Sequence, residues 1–349
     1  MRSLVLRTLA GDGEIETALS DEAEIAAMLD FEAALAAAEA DVGLVPQQAA
    51  NAIEAACRSI AIAPDALAPG IEKDGVIGPA FVAVLRKAVG AEHGRWLHLG
   101  ATSQDLTDTA LVLRMRDVIA ILGRRLDALL DLLRRLRDEA AATPLMAHTR
   151  MQRALPFTGG DKVDSWMRPL AHLRERLASV REELLVIQFG GPIGTREGLN
   201  GLGDRVAEGL AGRLGLAPAP VWHSARQRIV EFGDWLSLVS GTLGKIGIDI
   251  ALMAQNEVGT AIIAGGGASS AMPHKSNPVA AELLIALARF NAGLCGTLHQ
   301  ALVHENERSG AAWTLEWLVL PQMAVTTGAA LRHALGLVEA LTLRAEPTR

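Results

Sequence analysis

Five long segments with helical periodicity constrain this chain more than any other feature of its sequence. They run from Asp108 to Ala142, Lys162 to Phe189, Ala225 to Val258, Val279 to Glu305 and Trp313 to Leu343. Helices about 40 Å long are uncommon in ordinary globular domains and frequent in extended bundles. The pattern therefore predicts an all-α fold, built as an elongated bundle of long helices.

Composition favours the same fold class. Aromatic residues make up 3% of the 349 residues, and tyrosine is absent. Strands prefer aromatic and β-branched side chains, whereas the abundant alanine and leucine suit packed helices. The net charge of -7 gives a nucleic-acid partner no electrostatic support.

The chain divides by pattern into two parts. Shorter helical segments and a proline- and glycine-rich connection at 61–79 fill residues 1–97, which we predict to be an N-terminal helical domain. One of these segments runs from Asp21 to Val42, with Ser20 as its expected N-cap. The central long-helix bundle is predicted to span residues 98–345.

The sequence resembles neither a secreted nor a membrane protein. No stretch of about 20 residues is both apolar and uncharged, and the N-terminus has no signal-peptide pattern. Cys57 and Cys295 lie in apolar surroundings, which favours core packing in a reducing compartment. No residue spacing indicates a metal site. We therefore expect a soluble, cytoplasmic protein with no membrane partner and no bound metal.

The long helices carry more apolar surface than one bundle is expected to bury. Gly241, Gly244 and Gly247 recur at helical spacing and would allow another helix to approach closely. We expect these helices to pack against other subunits. The alternative is a monomeric bundle with wide apolar faces.

The segment from Gly265 to Pro278 reads G-G-G-A-S-S-A-M-P-H-K-S-N-P. Glycine and proline make it a poor helix and a poor strand, although it lies between two long helical segments. A loop of this length with hydroxyls, an amide and a cation is more often functional than decorative. A flexible connector is the alternative.

Two further segments have the chemistry of a carboxylate site. In the segment from His98 to Asp105, Thr102 and Ser103 precede a long helix, where hydroxyls and backbone N–H groups can bind a carboxylate. Ordinary N-capping by Ser103, Asp105 or Thr107 is the alternative.

In the segment from Thr149 to Pro156, Arg150 and Arg153 accompany Thr149 and Gln152. Guanidinium groups bind carboxylates through two parallel hydrogen bonds. A solvated turn at a helix end is the alternative. A third polar cluster, from His304 to Ser309, offers Arg308 as another carboxylate ligand.

Together these segments resemble the fumarase/aspartase superfamily. The loop is similar to its G-S-S-x-M-P-x-K-x-N-P pattern, with Ala268 in place of the usual glycine, and the two segments beginning at His98 and Thr149 resemble its first two conserved regions. The resemblance implies a homotetramer on a long-helix core, sites shared by three subunits, a small polycarboxylate substrate and no cofactor. We expect the small C-terminal domain usual in the superfamily to be absent, because the sequence stops soon after the last long helical segment.

The chain is most similar to the branch of bacterial cycloisomerases that act on 3-carboxy-cis,cis-muconate. The runs at 28–35, 188–195, 221–223 and 305–317 carry this likeness. Most superfamily lyases have an acid/base histidine where this chain has Arg150, and the cycloisomerase branch lacks it. The resemblance implies cycloisomerisation of 3-carboxy-cis,cis-muconate to a carboxymuconolactone, in the breakdown of protocatechuate.

The resemblance also assigns roles to residues. Ser269 matches the acid/base serine, Lys275 and Asn277 are suited to stabilise a developing enediolate, and His98 is either an acid/base group or a substrate contact. The expected substrate-binding set is Thr102, Ser103, Thr149, Arg150, Gln152, Arg153, Ser270, Met272 and Arg308.

Three alternatives stay open at this point. One is the same reaction on a related muconate, such as a sulfomuconate. Another is an adenylosuccinate-type lyase, which needs a purine pocket that a chain without tyrosine is poorly suited to form. The third is an inactive homologue, against which Ser269, Lys275 and Asn277 argue.

Overall fold

The computed structural model describes residues 3–268, 272 and 276–346. In chain order its helices are α1 (Leu4–Ala10), α2 (Gly13–Ala18), α3 (Asp21–Asp41), α4 (Gln47–Ser59), α5 (Ala68–Asp74), α6 (Gly78–Val89), α7 (Ser103–Glu139), α8 (Gly159–Leu184), α9 (Gly203–Leu214), α10 (Gln227–Met253), α11 (Val279–Gln300) and α12 (Ala311–Glu339). Six short strands are β1 (Pro144–Thr149), β2 (Gln152–Thr158), β3 (Ala261–Ile263), β4 (Gly267–Ala268), β5 (Ser276–Asn277) and β6 (Leu341–Leu343). The all-α, long-helix fold class is confirmed.

The helix α3 anchors the N-terminal part to the bundle. Ser20 Oγ accepts a hydrogen bond of 3.2 Å from the Ala23 N–H, as the capping pattern predicts. Met28, Phe31 and Leu35 are fully buried, and α3 packs against α4, α7 and α9. One continuous hydrophobic core therefore runs from α3 into the long helices.

The five predicted long helices are α7, α8, α10, α11 and α12. Trp166 of α8 donates a hydrogen bond to Asp249 near the end of α10, while Trp235 near the start of α10 donates to the Leu173 carbonyl, so α8 and α10 are antiparallel. Trp313 at the start of α12 donates to Asp108 at the start of α7, and further along α7 Arg125 donates to the Gly328 carbonyl of α12, so these two helices run in parallel. The chain thus passes along the bundle five times.

Two of the three spaced glycines contact this chain's own helix α11. A Cβ added at Gly244 would lie 2.5 Å from the Ala288 Cβ, and one at Gly247 would lie 2.6 Å from the Ala281 carbonyl oxygen. Both glycines therefore allow α10 and α11 to pack closely within one subunit. The close approach of another helix is therefore confirmed, but α11 of the same subunit supplies that helix, and these two glycines give no support to packing against other subunits.

Much of α11 stays exposed within a single chain. Phe290 of α11 is 46% exposed, and Val279, the first residue of α11, is exposed to a similar extent. Leu238 of the neighbouring α10 is exposed to a similar extent as well. By length and composition alone α10 and α11 could cross a membrane, but half of the apolar window of α10 lies inside the bundle. The face along α11 is thus one apolar surface that the described bundle leaves uncovered.

The strands form three small antiparallel pairs. β1 pairs with β2 in a hairpin after α7, β3 pairs with β6, and β4 pairs with β5 at the two ends of the glycine-rich loop. The pairing of β3 with β6 places that loop at the end of the bundle where α12 finishes. Because α7 and α12 are parallel, the hairpin and the loop lie at the same end.

Candidate active site

Asp105 organises the amino end of α7. Its buried carboxylate accepts hydrogen bonds of 2.8 and 2.9 Å from the N–H groups of Gly190 and Gly191, and one of 3.0 Å from the Thr102 N–H. His223 Nε2 lies 2.8 Å from the same carboxylate. Asp105 therefore ties three separate chain segments together around the N-terminus of the longest helix.

Thr102 and Arg308 meet at this helix end. Arg308 Nη1 donates to Thr102 Oγ1 at 2.6 Å and to the Pro192 carbonyl at 3.2 Å. Thr102 forms a capping box with Asp105, so the N-cap is one residue earlier than the alternatives considered from sequence. The exposed guanidinium of Arg308 lies next to a positive helix terminus, which is a favourable place for an anion.

Ser103 is the first residue of α7 and is packed tightly. A Cβ added at Gly78, the first residue of α6, would lie 2.7 Å from Ser103 Oγ. Only a glycine therefore fits opposite this hydroxyl. Ser103 is partly buried, and its place beside Thr102 is fixed by the contact between α6 and α7.

His98 adopts a strained backbone conformation beside a buried carboxylate. Its φ of 64° is in the left-handed region that non-glycine residues rarely adopt. His98 Nδ1 lies 2.5 Å from Glu32 Oε1 of α3. Burial lowers the pKa of His98, but the charge and hydrogen bond of Glu32 outweigh burial, and the net pKa is raised. This imidazole therefore favours its protonated form more than a free histidine does.

Arg226, the residue before α10, is part of a buried ion-pair network. Its guanidinium forms two hydrogen bonds with Asp108, at 2.6 and 3.0 Å, and also pairs with Glu316. All three side chains are fully buried, and Trp313 donates to the same Asp108. Arg226 thus holds α7, α10 and α12 together and is unavailable for substrate.

The second predicted segment forms the tip of the β1–β2 hairpin. Thr149 pairs with Gln152, and the two turn residues, Arg150 and Met151, have φ angles of 48° and 66°. Positive φ at both positions is the geometry of a tight two-residue hairpin turn. The four predicted ligands here are all exposed, and Arg153 makes an ion pair of 2.5 Å with Glu346. The segment is therefore the turn of a β-hairpin, and the alternative considered from sequence, a solvated turn at a helix end, is wrong.

A cavity of about 590 Å³ lies beneath this hairpin. Arg150 and Lys162 line it together with Asp249 and Glu346. Lys162 is paired with Asp249 at 2.9 Å, whereas Arg150 forms no ion pair with any residue that the structure describes. Its exposed guanidinium is therefore available to a ligand.

The glycine-rich loop is described only at its ends and at Met272. Asn277 pairs with Gly267 in the short β4–β5 ladder and is partly buried, while Met272 is 42% exposed. Ser269, Ser270 and Lys275 lie outside the described residues. Asn277 is therefore held at the base of the loop by backbone pairing.

The predicted site residues that the structure describes do not converge within one chain. Thr102, Ser103, His98 and Arg308 lie at the amino end of α7, whereas the hairpin and Asn277 lie beyond its carboxyl end. A helix of 37 residues spans roughly 55 Å at 1.5 Å per residue. One substrate molecule cannot reach both ends of a single subunit.

Three groups of polar side chains that interact in the structure were not predicted from sequence. Glu32 and Glu39 are carboxylates inside the apolar pattern of α3, and that mismatch is the signal that could have identified them. The Asp108–Arg226–Glu316 network gave no local signal. Asp234, Cys295 and His299 come within 4.8 Å of one another, and hydrogen bonds to Asp234 account for their proximity.

Comparison with known proteins shows the family. The family model described as "Lyase" matches residues 13–291. The 3-carboxy-cis,cis-muconate cycloisomerase of Pseudomonas aeruginosa is 44% identical over 95% of this chain and 73% of its own length. The enzyme of the same name from Pseudomonas putida is 40% identical over 95% of this chain and 80% of its own length.

A solved structure agrees with these sequence matches. The 3-carboxy-cis,cis-muconate lactonizing enzyme from Pseudomonas putida superposes with a TM-score of 0.92 at 41% identity, over 98% of this chain and 78% of that chain. This chain thus combines the long-helix fold, the glycine-rich loop and the two polar segments with at least 40% identity to these relatives over nearly its whole length. The chain belongs to the fumarase/aspartase superfamily of lyases.

Proposed function

We propose that this protein is an intramolecular lyase that converts 3-carboxy-cis,cis-muconate to a carboxymuconolactone. The observation that carries the proposal is Arg150, an exposed guanidinium at the hairpin tip where most superfamily lyases have an acid/base histidine. A cation in that place suits a substrate with three carboxylates. Because arginine replaces the histidine, the acid/base group on which other branches depend is absent from this position. High identity to relatives named for this reaction supports the same conclusion.

The reaction needs one new C–O bond and one new C–H bond. An oxygen of one substrate carboxylate attacks a carbon of the conjugated diene, and the electron pair of that double bond moves toward the carbon next to another carboxylate. An enediolate forms, and a proton then adds to that carbon, so the product is an isomer of the substrate. The enzyme must stabilise the enediolate and deliver the proton.

In this proposal Ser269 delivers the proton, and Lys275 with Asn277 stabilises the enediolate. A serine hydroxyl is a weak acid and needs a nearby cation and N–H donors to act. Arg150, Arg153 and Arg308 bind the carboxylates, together with polar side chains of the predicted set. The partly buried Asn277 at the loop base supports this arrangement, because its backbone is fixed before substrate arrives.

We further propose that the active sites are completed by other copies of the chain in a homotetramer. The roughly 55 Å length of α7 separates the two groups of ligands, so they can meet only if different subunits supply them. The exposed apolar face along α11 is the surface that such packing would bury. We propose that the protein is cytoplasmic. Burial of α11 between subunits would then explain why this helix is apolar enough to cross a membrane. Light scattering should give about four times the chain mass of 36.8 kDa, and a monomer would overturn the shared site.

Absorbance of the substrate diene gives the most direct test of activity. Purified protein should remove the diene absorbance of 3-carboxy-cis,cis-muconate, and it should act less efficiently on a sulfomuconate or on cis,cis-muconate. Parallel assays with adenylosuccinate and with fumarate test for the activities of other branches of the superfamily. Turnover of adenylosuccinate with no loss of diene absorbance would overturn the proposal.

A further inference from the structure

We propose that Glu32 is a positioning residue that holds His98 as an imidazolium, so that His98 binds a substrate carboxylate as a cation. The inference rests on the proposed function, and it decides between the two roles open for His98. In its imidazolium form both ring nitrogens donate hydrogen bonds. Nδ1 donates to Glu32, and Nε2 is left to donate to the substrate.

The contact between the two side chains is short and enclosed. Nδ1 and Oε1 are 2.5 Å apart, the Glu32 side chain is fully buried, and 13% of the His98 side chain is exposed. Hydrogen bonds between charged partners are shorter and stronger than neutral ones. The geometry is that of a buried ion pair whose histidine still reaches the surface.

The backbone that leads into His98 is held in place by Arg86. Arg86 of α6 donates through Nη2 to the Leu97 carbonyl at 3.3 Å and through Nε to the Gly94 carbonyl at 3.1 Å. His98 itself keeps a left-handed φ of 64°. A non-glycine residue stays in this conformation only where its surroundings determine it strongly, and such positions cluster at functional sites.

A second carboxyl on α3 stays neutral and leaves the charge on Glu32. Among the residues that the structure describes, neither oxygen of Glu39 has a hydrogen-bond partner, and its side chain is fully buried. Burial, and then the charge of Glu32, raises the pKa of Glu39 to about 9. Of the two carboxyls, only Glu32 has a hydrogen-bond partner among the described residues, so the negative charge is better stabilised on Glu32 than on Glu39.

The other titratable groups around His98 come from three further helices. Asp105 of α7 favours the imidazolium, and Arg86 of α6 opposes it. Cys57 of α4 is a neutral thiol, because burial and then the charges of Glu32, Asp30 and Glu54 raise its pKa to about 12. The carboxylates therefore outweigh the single opposing cation.

An imidazolium at this position would extend the cationic surface of the site. Arg308 lies at the same helix end, where it bonds Thr102, four residues after His98. A tricarboxylate requires several cations, and the amino end of α7 then supplies two in addition to its helix dipole. His98 would lose this function once it becomes neutral at high pH.

Histidine C2-hydrogen exchange, read by mass spectrometry of the His98 peptide, tests the inference without substrate. His98 should titrate at a higher pH than a free histidine in the wild type, and at a lower pH in Glu32→Gln. Glu39→Gln is the matched control, because a neutral amide replaces a neutral carboxyl, and the His98 titration should not move. A wild-type His98 that titrates as a free histidine, or at lower pH, would overturn the inference even if Glu32→Gln failed to fold.

Kinetics provide the second readout. In Glu32→Gln at pH 8 the KM for 3-carboxymuconate should rise about tenfold, as expected for loss of one charged hydrogen bond, while kcat changes little. Glu32→Asp should recover part of this loss. A fall in kcat with an unchanged KM would make His98 an acid/base group and overturn its role as a cation. If no variant and no wild-type protein turns over a muconate, the proposed function fails, while the exchange experiment still decides the charge of His98.

Discussion

Arg308 donates a hydrogen bond of 2.6 Å to the hydroxyl of Thr102, although 206 residues separate the two in sequence. The contact joins the segment after α11 to the N-cap of α7. It places the exposed guanidinium of Arg308 at the positive end of the longest helix, where a substrate carboxylate would contact both the guanidinium and the helix N-terminus.

Arg308→Ala should therefore weaken substrate binding. Loss of one charged contact corresponds to about a tenfold to hundredfold lower kcat/KM, with most of the change in KM. Steady-state kinetics on 3-carboxymuconate measure this effect. Arg58→Ala, at a largely exposed arginine of α4, is the control and should leave the kinetics unchanged. Equal kcat/KM values for Arg308→Ala and Arg58→Ala would show that Arg308 does not bind the substrate.

Arg150 should be required as a guanidinium and not only as a positive charge. Arg150→Lys keeps the charge but cannot form two parallel hydrogen bonds, so it should lose about tenfold in kcat/KM, and Arg150→Ala should lose more. Arg168→Ala on α8 is a matched control, because that arginine is mostly exposed. Wild-type kinetics in Arg150→Ala would contradict the assignment of the hairpin to the active site.

The buried network around Arg226 should govern stability. Arg226→Ala leaves Asp108 and Glu316 as unpaired buried charges, and breaking a buried pair in this way costs about 3–5 kcal/mol of unfolding free energy. Urea unfolding measures the loss. Removal of the exposed Arg58–Glu54 pair provides the comparison, with an expected cost of about 0–1 kcal/mol. Similar losses for the two pairs would show that the network is not a major source of stability.

Glu39 should make the stability of the protein depend on pH. Its folded pKa is raised from 4.5 to about 9, so the folded state retains a proton that the unfolded chain releases. The stability linked to this group is fully present below pH 4.5 and falls as the pH rises toward 9, by about 1.4 kcal/mol per pH unit.

Glu39→Gln removes that linkage. The variant should gain in unfolding free energy relative to the wild type as the pH rises from 5 to 8, as measured by urea unfolding at each pH. Glu54→Gln, at a partly exposed residue of α4, controls for a change of charge at the surface. Wild-type and Glu39→Gln curves that stay parallel across this range would contradict a neutral buried Glu39.

Helical periodicity predicted the long helices well but located the start of α7 five residues late. The helix begins at Ser103 because Thr102 and Asp105 form its capping box, and these polar residues were first considered for their chemistry. Periodicity is a property of the apolar face, so it does not report where a polar cap begins.

The hairpin was not predicted, because its turn lacks the residues that usually mark one. Two-residue turns with positive φ favour asparagine, aspartate and glycine, whereas this turn uses Arg150 and Met151. Such backbone conformations cluster at functional sites, which agrees with the role that we propose for Arg150. The contact between Glu32 and His98 could not be predicted either, since 66 residues separate them and only the packed fold brings them together.

Complementation between inactive variants tests the central claim, that separate subunits build one cycloisomerase site. Arg308→Ala and Arg150→Ala alter ligands at opposite ends of α7. With substrate held well below the wild-type KM, each variant alone should show about a tenth of the wild-type rate on 3-carboxymuconate, or less. Co-expressed in equal amounts, they should form mixed tetramers in which about a quarter of the sites receive both wild-type arginines from different chains. Recovery of about a quarter of wild-type diene loss is the predicted result, and a mixture as inactive as its parts would contradict the account.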